Sequence, residues 1–259
     1  LIMLCPKGYV IEFMTYMIVF KSGLAGLSMA WYLKKHTGSQ KFGACYFGVF
    51  YALSGYMAAY SWNIMWLDCI LLLPLIMLGL ERLVNENKGF LYCITLGLCI
   101  YTNYYISIMV CMSVVLYFVV LMISYDGLKH PKIYLKKFLN WCIYSLLAGG
   151  LAACLLLPEM YTFSLSASSD ISFPKTLTCY FSVLQMLTRQ LMDIPVHLGL
   201  EHYPNIYCGV AVFILIPLYV MNKKVSSREK IGKMVLLLIF LLAFNLNIPN
   251  FIWHGLHYP

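Results

Sequence analysis

Apolar residues in this chain run in blocks of about 20, parted by short polar links, which is the length a helix needs to cross a hydrocarbon core of ~30 Å. Half-buried helices instead repeat apolar positions every three or four residues and keep a polar face. The blocks predict eight spans, at roughly 10–33, 42–60, 63–81, 89–103, 104–124, 137–157, 205–221 and 231–247. The links between 42–60 and 63–81, and between 89–103 and 104–124, are so short that each pair is either a tight helical hairpin or includes a partly re-entrant member. A β-barrel is a poor fit, because its strands alternate apolar and polar residues over about ten positions.

Composition supports the same class. The chain is 62% hydrophobic and 11% charged, against about 25% charged in a soluble domain. The expected fold is an all-α polytopic membrane protein, a single transmembrane domain over 1–259. The sequence begins at Leu1 with no signal peptide, so it reads as an internal piece of a longer protein, truncated at both ends.

Charge then orients the spans. Fourteen of the 18 basic residues fall in four alternate loops. These hold Lys34, Lys35 and Lys41; Arg82 and Lys88; Lys129, Lys132, Lys136 and Lys137; and Lys223, Lys224, Arg228, Lys230 and Lys233. Cytoplasmic loops carry the Lys/Arg excess, so these four are expected inside and both ends of the chain outside. The same topology explains the net charge of +8. No basic cluster accompanies a nucleic-acid-binding motif, which excludes that class of partner.

The opposite, external side collects the unusual residues. It includes the long segment 158–204, in which "TLTCYFSVLQMLTRQLMD" (176–193) has apolar residues at helical spacing between Pro174 and Pro195. That pattern predicts a helix lying in the interface, with a short re-entrant or packed surface helix as the alternative. "SLSASSD" (164–170) before it reads as a polar link. The ten cysteines are scattered singly and read as small apolar filler, not as a metal or disulfide framework. No phosphate-binding, nucleophile-elbow or zinc-protease motif occurs.

Candidate chemistry centres on "YSWNIMWLDCILLLPL" (60–75), where Asp68 lies a few residues into an apolar run. A charge at membrane depth costs roughly 2.5–3.5 kcal/mol even on the lenient scale, so it needs a partner or a wet cavity. Lys21, inside the first span, is the candidate partner. The readings are a helix-locking ion pair, an acid favoured by the helix N-terminus, or direct contact with a substrate. Around it stand Tyr60, Trp62, Trp66, Tyr101, Tyr104 and Tyr105, an interfacial belt or, with Asn63 and Asn103, a platform for a sugar. His254 and His257 read as surface hydrogen-bonding groups or, if helical, as a metal pair; His197, Glu201 and His202 form a comparable cluster.

The runs "YALSGYMAAYSWNIMWLDCILLLPLIMLGLERL" (51–83), "TNYYISIMV" (102–110), "NLNIPNFIWHG" (245–255) and "KSGLAGLSMAWYLKK" (21–35) resemble the YfhO family of bacterial membrane proteins. That family is similar to GT-C integral-membrane glycosyltransferases. The resemblance implies a cytoplasmic-membrane enzyme taking sugar from a polyprenyl-phosphate carrier, usually undecaprenyl phosphate. The sugar passes to a cell-envelope acceptor, lipoteichoic acid or a similar polymer, on the external face. The implied partners are membrane lipids, the lipid-linked sugar and that polymer; a divalent metal is left open. Asp68, Trp62, Asn63, Trp66, Asn103, Tyr104, Tyr105, Glu159, Arg189, Asn250 and His254 become candidate substrate-site residues, with Arg189 and Lys175 as candidates to neutralise the phosphate.

GT-C enzymes carry the main catalytic acid in the first external loop, after the first membrane helix. The first span here runs inward, matching the second helix of that pattern, so the catalytic acid is expected upstream of Leu1 and Asp68 and Glu159 in supporting roles. The rival is a lipid or polymer transporter, or a non-catalytic envelope assembly factor. A transporter would show repeated halves and polar groups near the midplane, and no internal repeat is found here.

Overall fold

The computed structural model describes residues 5–38, 42–125, 131–165, 173–198 and 203–256, and among them the regular elements are all helical. In order they are α1 (Val10–Thr37), α2 (Gly43–Ala52), α3 (Gly55–Tyr60), α4 (Ile64–Glu86), α5 (Phe90–Thr102), α6 (Tyr104–Ser124), α7 (Pro131–Leu151), α8 (Ala153–Ser164), α9 (Val183–Thr188), α10 (Val212–Met221), α11 (Ser227–Asn245) and α12 (Asn247–Trp253).

Local chemistry sets the ends of the long helices. α1 closes on Gly38 in the left-handed conformation, with Lys34, Lys35 and His36 in its last turn against the negative end of the helix dipole. α4 closes on Asn87, also left-handed. α6 starts at Asn103, whose Oδ1 accepts the Ile106 N–H at 2.8 Å.

α4 is the axis of the bundle. Lys21 meets Asp68 while Tyr32 and His36 meet Glu81, so α1 and α4 run in the same direction. Trp66 meets Tyr105 and Glu81 meets Tyr117, so α6 runs the same way. α5 returns alongside α4, with Gly79 against Tyr92 and Cys69 against Cys99. α7 runs with α5, since Tyr92 reaches Trp141 and Ser145 while Gly97 faces Ala148 and Leu151. Lys137 of α7 donates to the Val84 carbonyl near the end of α4. α11 is antiparallel to α6, with Gly232 against Val120. This up-and-down order gathers the basic loops at one end of the bundle and the aromatic and amide residues at the other.

The main core lies between α4, α5, α6 and α7, where Ile76, Leu80, Tyr92 and Cys99 are fully buried. Two features let α4 sit there. Pro74 has no N–H, which frees the carbonyl of Ile70, and Tyr51 of α2 donates its hydroxyl to that oxygen at 2.8 Å. Gly79 lets the α5 backbone close in: a Cβ there would lie 2.5 Å from Tyr92 N. α1, by contrast, packs on α2 and α4 along one side and has few fully buried residues, leaving much apolar surface exposed.

The span count contracts against the hydropathy reading. Among the described residues three helical segments are long and apolar enough to cross a membrane: Lys7–Thr37, Ile64–Glu86 and Tyr104–Ser124. A fourth span is possible if Pro131–Leu151 and Ala153–Ser164, which meet at a 76° bend, count as one. The block 42–60 is two short helices, because Ser54 is extended and the Gly55 N–H is taken by Tyr207 O at 2.6 Å. α5 has 13 residues and α10 has 10, so at about 1.5 Å per residue neither reaches across ~30 Å. Blocks 63–81, 104–124 and 231–247 are helical over nearly their full length, the last within α11. Hydropathy measures apolar content and is blind to such breaks.

The interfacial helix expected over 176–193 shrinks to α9, six residues with a Ser182–Gln185 capping box. The residues before it are drawn off by another partner. Tyr180 N donates to Asn245 O at 2.9 Å, Asn247 N to Thr178 O at 3.1 Å, and Asn247 Oδ1 accepts from Thr178 N at 2.9 Å. Long-range amide bonds at the α11–α12 junction thus override the helical periodicity. Residues 166–170 of the polar link, with Lys41 and Lys129, lie outside the described residues.

Candidate functional site

The end opposite the basic loops is built from α3, the start of α4, the α5–α6 junction, residues 173–198 and 203–207, and the α11–α12 junction. Its one buried ion pair is Lys21 Nζ to Asp68 Oδ2 at 2.8 Å, among the described residues. Lys21 also donates to the Ile64 carbonyl at 3.0 Å, in the first turn of α4. The Lys21 side chain is 10% exposed and that of Asp68 is 26% exposed. Asp68 therefore turns one oxygen to the lysine, while its other oxygen receives no donor among the described residues and the side chain stays partly exposed.

Two residues before Asp68 a run of rings begins. Tyr56, Tyr60, Trp66, Tyr105 and His254 follow one another at centroid spacings of 5.0, 5.8, 6.4 and 6.2 Å, tilted by 32–48°. Four elements contribute, and each ring is half-buried, so faces remain accessible while the rings are held. Tyr104 and Trp62 are exposed beside them, and Trp62 Nε1 is tied to Ala59 O at 3.0 Å. The His254 ring is set by Nδ1 against Asn250 O at 2.9 Å.

The amides divide by task. Asn103 is the α6 cap and is buried. Asn63 precedes α4 and lends its carbonyl to Trp66 N at 2.9 Å. Asn250 donates to Ala243 O at 3.0 Å, while its Oδ1 and the Tyr56 hydroxyl are buried with no hydrogen-bond partner among the described residues. Unpaired buried polar atoms are uncommon, and both of these lie in or next to the ring ladder.

Arg189 has a different position from a phosphate-facing cation. Its guanidinium is buried, donating from Nε to Pro204 O at 3.1 Å, from Nη1 to Pro195 O at 2.9 Å and from Nη2 to Asn205 Oδ1 at 2.8 Å. Burial pulls its proton affinity below the ordinary arginine value, though a guanidinium remains charged. The arginine organises the loop. Lys175 is exposed, as is Lys7 just before α1 at the same end. Glu159 lies on α8 beyond the 76° bend and has no ion pair among the described residues. His197 is beside Tyr203 at 5.3 Å; Glu201, His202 and His257 lie outside the described residues. No three metal-ligating side chains converge among the described residues.

Two groups escaped the sequence reading. Asn205 is a hub: it bonds Arg189, both backbone groups of His197 at 3.2 and 2.8 Å, and the Tyr60 hydroxyl at 3.3 Å. Only the Pro204–Asn205 turn signal marked it. Glu81 at the basic end is the other. It sits in an apolar run next to Arg82, where a charge reads as loop, yet it is 8% exposed and accepts from Tyr32, Tyr117 and His36.

Helices with lipid-facing apolar surfaces, a polar and aromatic end and a basic end define an integral membrane protein of the all-α polytopic class. Within that class the chain belongs to the YfhO family: the family described as bacterial membrane protein YfhO matches residues 1–259. No curated protein and no solved structure matches the chain.

Proposed function

We propose that this chain is part of a GT-C-type glycosyltransferase of the bacterial cytoplasmic membrane. It moves a sugar from a polyprenyl-phosphate carrier to a cell-envelope polymer, with the basic end cytoplasmic and the aromatic end external. The observation that carries the reading is the ring ladder beside a half-free carboxylate. Pyranose faces stack on half-buried aromatic rings, and their hydroxyls donate to carboxylate and amide oxygens. In this reading Trp66 and Tyr105 are the stacking platform and the outward oxygen of Asp68 accepts a sugar hydroxyl. Lys175 meets the carrier phosphate at the interface. In this reading Asp68 is a binding residue, its orientation fixed by Lys21; an inverting transfer also needs a carboxylate to take the acceptor proton. No residue here is assigned that proton transfer.

The test is transfer of radiolabelled sugar from polyprenyl phosphate to envelope polymer in membranes holding the whole protein. Trp66→Ala and Asp68→Asn are expected to raise the apparent KM for the lipid-linked sugar about tenfold or more, the loss of roughly 1.4 kcal/mol. No transfer by the wild type, or equal KM in wild type and folded variants, would sink the proposal in favour of a transport or assembly role.

A further inference from the structure

The basic end holds a cleft of about 330 Å³ between α1, α4, α6 and α11, bordered by His36, Glu81, Asn85, Tyr117, Ser124 and Glu229 among others. Its floor is unusual. Glu81 Oε1 alone accepts three bonds: Tyr117 Oη at 2.5 Å, His36 Nδ1 at 2.8 Å and Tyr32 Oη at 3.0 Å. A carboxylate has two oxygens to offer, each able to accept. Here Oε2 receives no protein donor among the described residues, although the residue is 8% exposed and borders the cleft. Three donors hold the carboxylate in one orientation.

That charge has no Lys or Arg partner among the described residues; His36 is its sole ion-pair neighbour. The other acid of the cleft is already matched, since Glu229 pairs with Lys233 at 2.7 Å. A buried anion needs a counter-charge. A second independent sign is Ser124, which borders the cleft with its Oγ buried and unbonded among the described residues. On the far side of Glu81 a second cleft, about 400 Å³, is bordered by Trp31, Lys35 and Arg82.

We infer that the Glu81 cleft is a binding site for a primary ammonium group, on a phospholipid head or on a free amine. Three N–H donors of an ammonium match Glu81 Oε2, the Asn85 amide oxygen and Ser124 Oγ. A metal ion fits worse: His36 Nδ1 is spent on Glu81, and hard cations take six or more oxygens. The site is independent of the glycosyltransferase reading, lying at the other end of α4.

The test uses the protein in phosphatidylglycerol nanodiscs, titrated with short-chain phosphatidylethanolamine, its phosphatidylcholine counterpart and ethanolamine, and read by calorimetry. The ethanolamine head is expected to bind at least tenfold tighter than the choline head, which has no N–H to donate. Glu81→Gln should remove that preference. So should Asn85→Phe, which fills the cleft mouth from an exposed position without touching the Glu81 donors and so remains informative if Glu81→Gln misfolds. Competition by free ethanolamine at similar concentration assigns the site to a free amine, and binding of the phospholipid alone assigns it to lipid. Equal binding of both heads to the wild type overturns the inference. So does a folded Asn85→Phe protein with unchanged preference, or manganese binding that depends on Glu81 where ammonium binding does not.

Discussion

Breaking the Lys21–Asp68 pair from either side should cost different amounts. Removing one partner of a buried ion pair costs about 3–5 kcal/mol, mostly for the charge left behind. Lys21→Met leaves Asp68, whose side chain is 26% exposed, so water screens it and the cost falls to about 1–2 kcal/mol. Asp68→Leu leaves Lys21, 10% exposed, with the Ile64 carbonyl as its remaining partner; the expected cost is about 3–4 kcal/mol. Lys21→Met with Asp68→Leu removes both charges and should return to within about 1 kcal/mol of wild type, since apolar replacement of a buried pair is near neutral. The assay is equilibrium unfolding in mixed micelles with rising dodecyl sulfate fraction, followed by tryptophan fluorescence. A coupling energy near zero in the double-mutant cycle, or Lys21→Met costing more than Asp68→Leu, would refute the reasoning.

Three further outcomes follow from the packing. Tyr51→Phe should destabilise by about 1–3 kcal/mol in the same unfolding assay, because the Ile70 carbonyl freed by Pro74 loses its donor in a place without water. Gly79→Val should lower the thermal midpoint in detergent more than Gly149→Val, since a Cβ at Gly79 meets the Tyr92 backbone while one at Gly149 meets nothing. The proposed orientation predicts that a membrane-impermeant maleimide labels the exposed Cys179 in wall-stripped cells, whereas Lys88→Cys reacts only after permeabilisation; the reverse pattern would invert the topology.

The class was legible because apolar blocks and Lys/Arg bias act through solvent partition, which sequence records directly. α4 and α6 were legible for the same reason: their blocks are uninterrupted and their ends carry ordinary caps. The Lys21–Asp68 pair was legible because two lone charges in apolar runs need each other, but backbone breaks decided by a partner distant in sequence were not. The break at Ser54 is held by Tyr207, and the stretch before α9 by Asn245 and Asn247. A helical period at 176–193 says only that a helix would be amphipathic, not that competing amides are absent. Arg189 shows the same limit. A lone external arginine reads as an anion site, but two prolyl carbonyls and Asn205 occupy its fork. Glu81 was hidden because neighbouring Arg82 and Glu86 make its stretch look like the start of a loop.

The two carboxylates of α4 share one logic with opposite results. Asp68 and Glu81 lie about 20 Å apart along the helix axis at ~1.5 Å per residue, one towards each end of the bundle. Each is engaged by α1, through Lys21 and through Tyr32 and His36. α1 has little apolar packing of its own beyond α2 and α4, and lipid offers it no hydrophobic reason to stay. Polar clasps at both ends are therefore what fix its register on α4. Each clasp uses one carboxylate oxygen, and among the described residues the other receives no donor, so each end keeps one oriented acceptor. The free oxygens, set in a ring ladder at one end and in a cleft at the other, are the reason to place ligands at both.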